Sequence, residues 1–270
     1  MVGINVHRYK GLNKFFLLAW LLVLSCATFI CHASERNQTP VVISIIIDDI
    51  GYRLEEGRAI INLPSELTYA VLPDAPHTKQ LAELAHQQGK EVMLHLPMQA
   101  TSNVSVEQGV LSVDMSEKDV VNTMQKAFAK VPHAVGMNNH QGSLLTRHPG
   151  HMAWVMAEMK KNGQFFVDSR TSKQSVAEQL AIENEVPTLK RDVFLDHEID
   201  EVSIKQQFNR LIKLAQRKGH AIAIGHPHPE TLAVLRKVLP VLKDLNIRLV
   251  PVSDQLKDNK WLLSQAVRSK

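Results

Sequence analysis

The feature that most constrains the fold is a regular alternation of short apolar runs with amphipathic stretches over residues 41–252. The apolar runs are continuous, as in Ile45-Ile46-Ile47, which is typical of strands buried on both faces of a parallel sheet. Eight strands are predicted, at 41–47, 67–72, 91–96, 134–137, 164–167, 186–189, 221–224 and 248–252.

Helix boundary signals separate these strands. The first predicted helix begins near Asp74 and Pro76 and ends at Gly89, and the second begins with the capping pattern of Ser116 and Asp119. The third lies between Pro149 and Gly163. The last two cover 204–218, ending at Gly219, and 228–244. About eight strand–helix units without a second-domain signal predict an α/β fold, a closed or nearly closed β/α barrel. A doubly wound open sheet is the alternative, but the chain has no GxGxxG or P-loop motif to favour it.

The first 33 residues have the pattern of a secretory signal peptide. Arg8, Lys10 and Lys14 precede an apolar segment at 15–30, and small residues near Ala33 suit cleavage there. The expected organisation is therefore a signal peptide at 1–33, a short tether at 34–40 and one barrel domain at 41–270, exported to the periplasm. An uncleaved anchor and lipidation at Cys26 are the alternatives.

Composition narrows the possible partners. Both cysteines lie in the predicted leader, so the mature chain would have neither disulfides nor thiolate metal ligands. Without the leader, the formal net charge falls from +4 to +1, and no basic run remains. Nucleic-acid binding is therefore not expected, and no membrane contact is expected beyond the signal peptide. The sequence leaves the oligomeric state open.

Polar side chains recur at the carboxyl ends of the predicted strands. They are Asp48 and Asp49; His95; Asn138, Asn139 and His140; Asp168 and Ser169; Asp192 and Asp196; His226 and His228. In a β/α barrel these strand ends meet at one rim, where enzymes of this architecture keep their active sites. An open sheet could not bring all of these groups together, so the predicted fold and the predicted site support each other.

Imidazoles and carboxylates together are ligands for zinc or a similar divalent ion. A catalytic metal site uses three protein ligands and lowers the pKa of a bound water to about 7. A further carboxylate would then act as the base and a further histidine as the acid. Adjacent side chains on an extended strand point in opposite directions, but a turn at Gly51 would let Asp48 and Asp49 serve one site.

The series "IIIDDIG", "HLPM", "NNHQGS", "FVDSRTS" and "GHPHPET" resembles the divergent polysaccharide deacetylase (YibQ-like) family of the NodB-type carbohydrate deacetylases. The resemblance covers about residues 41–255. It implies a distorted β/α barrel of seven to eight parallel strands. It also implies metal-dependent removal of acetyl groups from an N-acetylated glycan.

Carried over by position, the resemblance assigns the base to Asp48, metal ligands to Asp49 and His95, and the general acid to His226. The sequence departs from the family pattern at two places. Gln99 stands where the family has a second histidine, so His140 is the expected third ligand. Asn138-Asn139-His140 replaces the arginine expected in the third-motif region.

Several of the remaining candidate residues have two interpretations. Asp168 is a further catalytic candidate or a turn cap, and Asn139 is a substrate contact or a turn residue. Ser169, Asp192 and His228 are predicted to contact substrate, although His228 also fits a helix cap. Asp196 is a rim candidate or the start of a solvated helix.

The sequence supports three functions. The leading hypothesis is an exported metal-dependent deacetylase that acts on an acetylated envelope glycan, with zinc as the expected ion. A non-catalytic envelope protein that binds a glycan or a protein partner through the barrel rim is the rival. A metal-free glycosidase that uses Asp48 and Asp168 is a third possibility, which requires a suitable separation of the two carboxylates.

Overall fold

The computed structural model describes residues 41–102 and 109–257. The predicted leader and tether, with Cys26, and residues 103–108 and 258–270 lie outside the described residues. Within the described ranges, no helix combines the length and apolar character needed to cross a membrane.

In the part of the chain that the structure describes, nine parallel strands form one sheet. They are β1 (Val41–Ile50), β2 (Thr68–Val71), β3 (Glu91–Met98), β4 (Ala134–Gln141), β5 (Phe165–Asp168), β6 (Thr188–Lys190), β7 (Val193–Phe194), β8 (His220–Gly225) and β9 (Ile247–Leu249). The pairing order is β6-β5-β4-β3-β2-β1-β8-β7, and β9 also pairs with β1. Each strand in the described residues is thus parallel to its neighbours, as the continuous apolar runs predict.

Besides a helical segment that starts at Val252, seven α-helices accompany the sheet within the described residues. They are α1 (Leu54–Ile61), α2 (Thr78–Gln87), α3 (Glu117–Lys130), α4 (Pro149–Lys161), α5 (Ala177–Glu183), α6 (Glu201–Lys218) and α7 (Pro229–Val238). The capping box of Ser116 and Asp119 begins α3 as predicted. Gly219 ends α6 with a φ of 84°, the left-handed conformation that favours glycine at this position.

The sheet curls into a distorted barrel, which confirms the predicted fold class. Its two edge strands, β6 and β7, are consecutive in the chain and separated only by Arg191 and Asp192. The first pairs with β5 and the second with β8, so a kinked chain segment links the two edges. One buried cluster, which includes Ile46, Met93 and Val167, is separate from the larger cluster formed by the sheet and helices.

The strand predictions fail at the shortest and last elements. The two residues of β7 are missed because so short a run has no detectable periodicity. The predicted final strand extends to Val252, but β9 ends at Leu249 and the chain is helical from Val252. The helix starts there because the Val252 amide donates to Thr68 Oγ1 and the Ser253 amide donates to the Glu91 carboxylate, which satisfies N–H groups that a helix start leaves unpaired.

The helix predictions fail mainly at their ends. The helices α1 and α5 are missed, and α2 begins at Thr78 rather than near Asp74. The segment predicted at 228–244 forms α7 and then two short 3₁₀ turns. Pro240 lies in the first of these turns, and its missing N–H is consistent with the end of regular helix there.

Candidate metal and catalytic site

A β-bulge places two adjacent carboxylates at the end of β1. The pairing of β1 with β2 changes register between Ile47 and Ile50, so β1 contains one extra residue. Within this bulge Asp49 has a φ of 57°, in the left-handed region that aspartate tolerates better than most residues. The conformation of Asp49 itself, in addition to the turn at Gly51, therefore brings the carboxylates of Asp48 and Asp49 to one site.

Asp49, His95 and His140 form a compact group of possible metal ligands. Asp49 Oδ1 lies 3.2 Å from His95 Nε2 and 3.0 Å from His140 Nδ1, and the two nitrogens are 3.0 Å apart. Asp49 Oδ1 is buried and faces both of these imidazole nitrogens. Two imidazole nitrogens and one carboxylate oxygen form a donor set suited to zinc, so these three residues fit the predicted ion.

The charges of this group stabilise one another. Burial alone would raise the pKa of Asp49, but the adjacent imidazoles of His140 and His95 hold it well below its usual range. Burial alone would lower the pKa of His95, but the carboxylates of Asp48 and Asp49 raise it. The ionised form of Asp49 is therefore stabilised by its contacts with these two side chains.

Asp48 occupies a different environment from its neighbour. It is 3% exposed, and Asp48 Oδ1 accepts a hydrogen bond of 2.8 Å from Asn138 Nδ2. Asp48 Oδ2 lies 3.6 Å from His95 Nε2, on the side of the possible metal ligands. Burial raises the pKa of Asp48 despite the opposing charges of His95 and His226, which suits a carboxylate that accepts a proton.

His226 lies on the far side of the ligand group and is fixed by Asp196. His226 Nδ1 is 2.9 Å from Asp196 Oδ1, and Asp196 Oδ2 accepts hydrogen bonds from the His226 amide and Thr231 Oγ1. His226 Nε2 lies 3.9 Å from Asp49 Oδ2. Burial alone would lower the pKa of His226, but its hydrogen bond to Asp196 and the charge of that carboxylate raise it to about 9. His226 is therefore protonated at neutral pH.

Asp196 is a buried residue of this site, and its interpretation as the start of a solvated helix is wrong. It is 3% exposed, and the N-cap of α6 is Asp200 instead. Its other interpretation, as a rim residue after the predicted strand at 186–189, agrees with its hydrogen bonds to His226.

Gln99 is used for loop structure rather than at the ligand group. Gln99 Oε1 accepts a hydrogen bond from the Val113 amide, and its backbone pairs with Leu111. His140 reaches the ligand group from β4, the strand next to β3. The predicted substitution of His140 for the missing histidine therefore agrees with the geometry.

Three predicted site residues near the end of β5, Asn139, Asp168 and Ser169, stabilise the loops of the rim. The Ser169 amide donates to Asn139 Oδ1, and Asn139 Nδ2 donates to the Gln141 carbonyl oxygen. The fully buried Asp168 accepts hydrogen bonds from the Arg170 amide and from Ser175 Oγ. Both oxygens of Asp168 thus bind groups of the following loop, as in the turn-cap interpretation.

One predicted substrate contact, Asp192, has other surroundings. Asp192 lies before β7, where its oxygens accept hydrogen bonds from Lys218 Nζ at 2.7 Å and from the Ile222 amide at 3.0 Å. Lys218 lies before the start of β8, whereas His226 lies after its end, at the rim. Asp192, which binds Lys218, is therefore not at the rim, and this corrects its predicted placement there.

His228 does reach the rim, and its ring centroid lies 5.8 Å from that of His226. It is the N-cap residue of α7, but its side chain makes no capping hydrogen bond. His228 also forms a second possible metal group with Asp196 and His226. The carboxylate of Asp196 already accepts three hydrogen bonds, which makes this second group less suited to an ion.

Arg191 is a rim residue that the sequence analysis did not identify. Its Nε and Nη2 atoms donate to the carbonyl oxygens of Ser169 and Arg170 at 2.6 and 3.0 Å. Its guanidinium also lies over the ring of Phe194, 4.9 Å from the centroid. Arg191 thus braces the β5 loop at the kinked junction of β6 and β7, a position that no strand pattern predicts.

Comparison with solved structures supports the barrel fold. An uncharacterised protein, ATU2773, from Agrobacterium tumefaciens C58 superposes with a TM-score of 0.78 at 23% identity, covering 82% of this chain and 92% of that one. The peptidoglycan deacetylase PdaC from Bacillus subtilis, solved as a D285S mutant, gives a TM-score of 0.52 at 13% identity, covering 86% and 97%. At these identities, the comparisons show a shared fold.

Sequence comparison identifies the family. The uncharacterised protein YibQ of Escherichia coli K12 is 40% identical over 216 residues, covering 80% of this chain and 67% of that protein. The sequence profile of the family described as divergent polysaccharide deacetylase matches residues 45–256, a range that includes every residue of the ligand group, Asp48 and His226. The chain therefore belongs to the divergent polysaccharide deacetylase family.

Proposed function

We propose that this chain is an exported, zinc-dependent hydrolase that removes acetyl groups from an N-acetylated envelope glycan. The observation that carries the proposal is the convergence of Asp49, His95 and His140, flanked by Asp48 and His226. Family membership and a fold shared with a peptidoglycan deacetylase support a glycan substrate. The signal-peptide pattern supports export to the periplasm.

Asp49 Oδ1, His95 Nε2 and His140 Nδ1 would hold the ion. When bound, zinc polarises a carbonyl oxygen and provides hydroxide at neutral pH. Asp49 suits the ligand role because its low pKa keeps the carboxylate ionised. The proposed ligands include no thiolate, because both cysteines lie in the predicted leader.

Asp48 would act as the general base. Asp48 Oδ1 is occupied by the hydrogen bond from Asn138, whereas Oδ2 lies on the side of His95 Nε2. Oδ2 is therefore the atom that accepts a proton when water attacks the acetyl carbonyl carbon. A carboxylate with a raised pKa is a better proton acceptor than an ordinary one.

His226 would act as the general acid. Its Nδ1–H is directed to Asp196, so Nε2–H is left on the side of the ligand group. Its pKa of about 9 keeps this proton available at neutral pH. Transfer from Nε2 to the leaving nitrogen allows the C–N bond to break and gives acetate and the free amine of the glycan.

The first test is elemental analysis of residues 34–270, purified without a chelator or a metal-affinity tag. The wild type is expected to contain about one zinc per chain, as for a single three-ligand site, and His140→Ala is expected to lose it. His86→Ala is the matched control, because His86 is an exposed histidine that stacks on His133 outside the ligand group.

The zinc-loaded wild type is then assayed for acetate release from peptidoglycan and from N-acetylglucosamine oligomers. Release that requires zinc and is absent in His140→Ala supports the proposal. A folded wild type that neither contains zinc nor takes it up contradicts the metal-dependent mechanism. Glycan binding that persists in His140→Ala without turnover of any substrate supports the rival, a non-catalytic envelope protein.

A further inference from the structure

Asn138 connects the proposed base to a proposed metal ligand. This side chain is fully buried at the centre of the rim, and its backbone pairs in register with His95 on the neighbouring strand. Asn138 Oδ1 lies 2.6 Å from His95 Nδ1, and Asn138 Nδ2 lies 2.8 Å from Asp48 Oδ1. One amide therefore contacts two functional side chains that come from two other strands.

The chemistry of the three groups fixes the direction of both hydrogen bonds. An ionised carboxylate only accepts hydrogen bonds, so the amide nitrogen of Asn138 must face Asp48. The amide oxygen of Asn138 then faces His95, and an oxygen without hydrogen can only accept. His95 Nδ1 must therefore carry a proton and donate it to Asn138 Oδ1.

Both consequences concern atoms used in the proposed reaction. Protonation at Nδ1 leaves the lone pair of neutral His95 on Nε2, the nitrogen that faces Asp49 and His140. Occupation of Asp48 Oδ1 leaves Oδ2 as the oxygen nearest to the ligand group. The same amide thus presents the ligand atom of His95 and the proton-accepting atom of Asp48.

We infer that Asn138 is a positioning residue that fixes the tautomer of His95 for metal binding and the orientation of Asp48 for proton transfer. This inference rests on the proposed function and adds a role for a residue outside the predicted ligands and acid–base pair. Partners that orient a metal-binding histidine through its second nitrogen are a general feature of metal sites. Here the partner also orients the base.

The double role explains the residue type. Arginine, expected at this motif from the family resemblance, could donate to Asp48 but has no acceptor for the Nδ1–H group of His95. Aspartate could accept from His95 but, when ionised, has no donor for Asp48. Asparagine provides one acceptor and one pair of donors at the length that this buried position allows.

Two substitutions separate the two roles. Asn138→Leu removes both hydrogen bonds at similar volume, and it is expected to weaken zinc affinity about 10- to 100-fold. Asn138→Asp keeps the acceptor for His95 and removes the donor to Asp48. It is expected to retain zinc affinity close to that of the wild type while kcat for acetate release falls about 100-fold at an unchanged KM.

The control is Tyr69→Phe, which removes a different buried hydrogen bond, from Tyr69 Oη to the Ile60 carbonyl oxygen at 2.9 Å. Zinc affinity is measured by competition with a chromogenic chelator, and folding is followed by thermal denaturation. The control is expected to lose stability without losing zinc affinity. This result distinguishes a positioning role of Asn138 from general destabilisation.

Each outcome bears on the inference. The inference is overturned if folded Asn138→Leu binds zinc with wild-type affinity. It is also overturned if Asn138→Asp keeps the wild-type kcat, or if it loses as much zinc affinity as Asn138→Leu. If Asn138→Leu does not fold, Asn138→Asp still tests the inference, because this variant is expected to lose kcat while it keeps its zinc affinity. A wild type that binds zinc but releases no acetate contradicts the proposed function while the affinity comparison still tests ligand orientation. A wild type that binds no zinc overturns both.

Discussion

Asp48 and Asp49 are neighbours in the sequence, yet both carboxylates approach the same nitrogen, His95 Nε2, at 3.6 and 3.2 Å. A regular strand would direct the two side chains to opposite faces of the sheet. The bulge at the end of β1 and the φ of 57° at Asp49 remove this restriction. The two carboxylates nevertheless differ, because the pKa is raised at Asp48 and lowered at Asp49.

This difference predicts opposite results for two isosteric substitutions. Asp49→Asn removes the ionised ligand and is expected to lower zinc affinity more than about 100-fold, beyond the usual effect of a supporting residue. Asp48→Asn leaves the three ligands in place and is expected to retain zinc while acetate release falls at least about 100-fold. Zinc content and acetate release are measured on both proteins. Equal zinc loss in both would contradict the assignment of ligand and base.

The pair of His226 and Asp196 predicts the alkaline limit of activity. The acid must be protonated, so acetate release should decline as pH rises through about 9, the pKa of His226. Asp196→Asn removes the carboxylate charge that raises this pKa, and the decline should move to lower pH, towards the ordinary histidine value of about 6.5. The measurement is the pH profile of kcat/KM for both proteins. An unchanged alkaline limit in Asp196→Asn would exclude His226 as the acid.

The same pair predicts how the stability of the metal-free protein depends on pH. Because folding raises the pKa of His226, its contribution is fully present below about pH 6.5 and is lost as pH rises to about 9. The free energy of unfolding should therefore fall across this window, by on the order of 3 kcal/mol from His226. Urea denaturation at several pH values measures the fall. A slope as steep in Asp196→Asn as in the wild type would contradict this account.

Much of the site could be predicted because it repeats one pattern. A continuous apolar run followed at once by an acid or a histidine identifies both a buried strand and the end that faces the rim. This pattern identified Asp49 and His95 on different strands, and parallel pairing brings their side chains together. It also identified His226 after β8.

The remaining parts depend on conformations and contacts that the pattern does not contain. The bulge at Asp49 is a backbone state of one residue, and aspartate is compatible with both strand and left-handed conformations. Asp196 fitted both the rim and the start of a solvated helix, and the choice between the two depended on β7, which has only two residues. The role of Asn138 depends on where the side chains of two other strands end, which sequence spacing cannot give.

Removal of the metal should lower the stability of the wild type. Zinc at 100 times its Kd stabilises a folded state by about 2.7 kcal/mol if it does not bind the unfolded chain. Adding zinc to chelator-treated wild type is therefore expected to raise Tm, because the ion would bind the buried Asp49 Oδ1 together with the two imidazoles. His140→Ala should show no such rise, whereas His86→Ala should behave as the wild type. A similar rise in all three would indicate zinc binding elsewhere.

Gly51 is predicted to be essential for the stability of the turn that follows the two carboxylates. Its φ of 134° lies in a region that side chains rarely adopt, and an added Cβ would lie 2.7 Å from Ala75 Cβ. Gly51→Ala is therefore expected to lower the free energy of unfolding of the metal-free protein by about 2–4 kcal/mol.

Gly150→Ala is the control, because Gly150 lies in α4 with no atom within 4 Å of an added Cβ. It should be neutral or stabilising by up to about 1 kcal/mol. Urea denaturation of both variants measures the difference, and equal stability of the two would show that the turn tolerates a side chain.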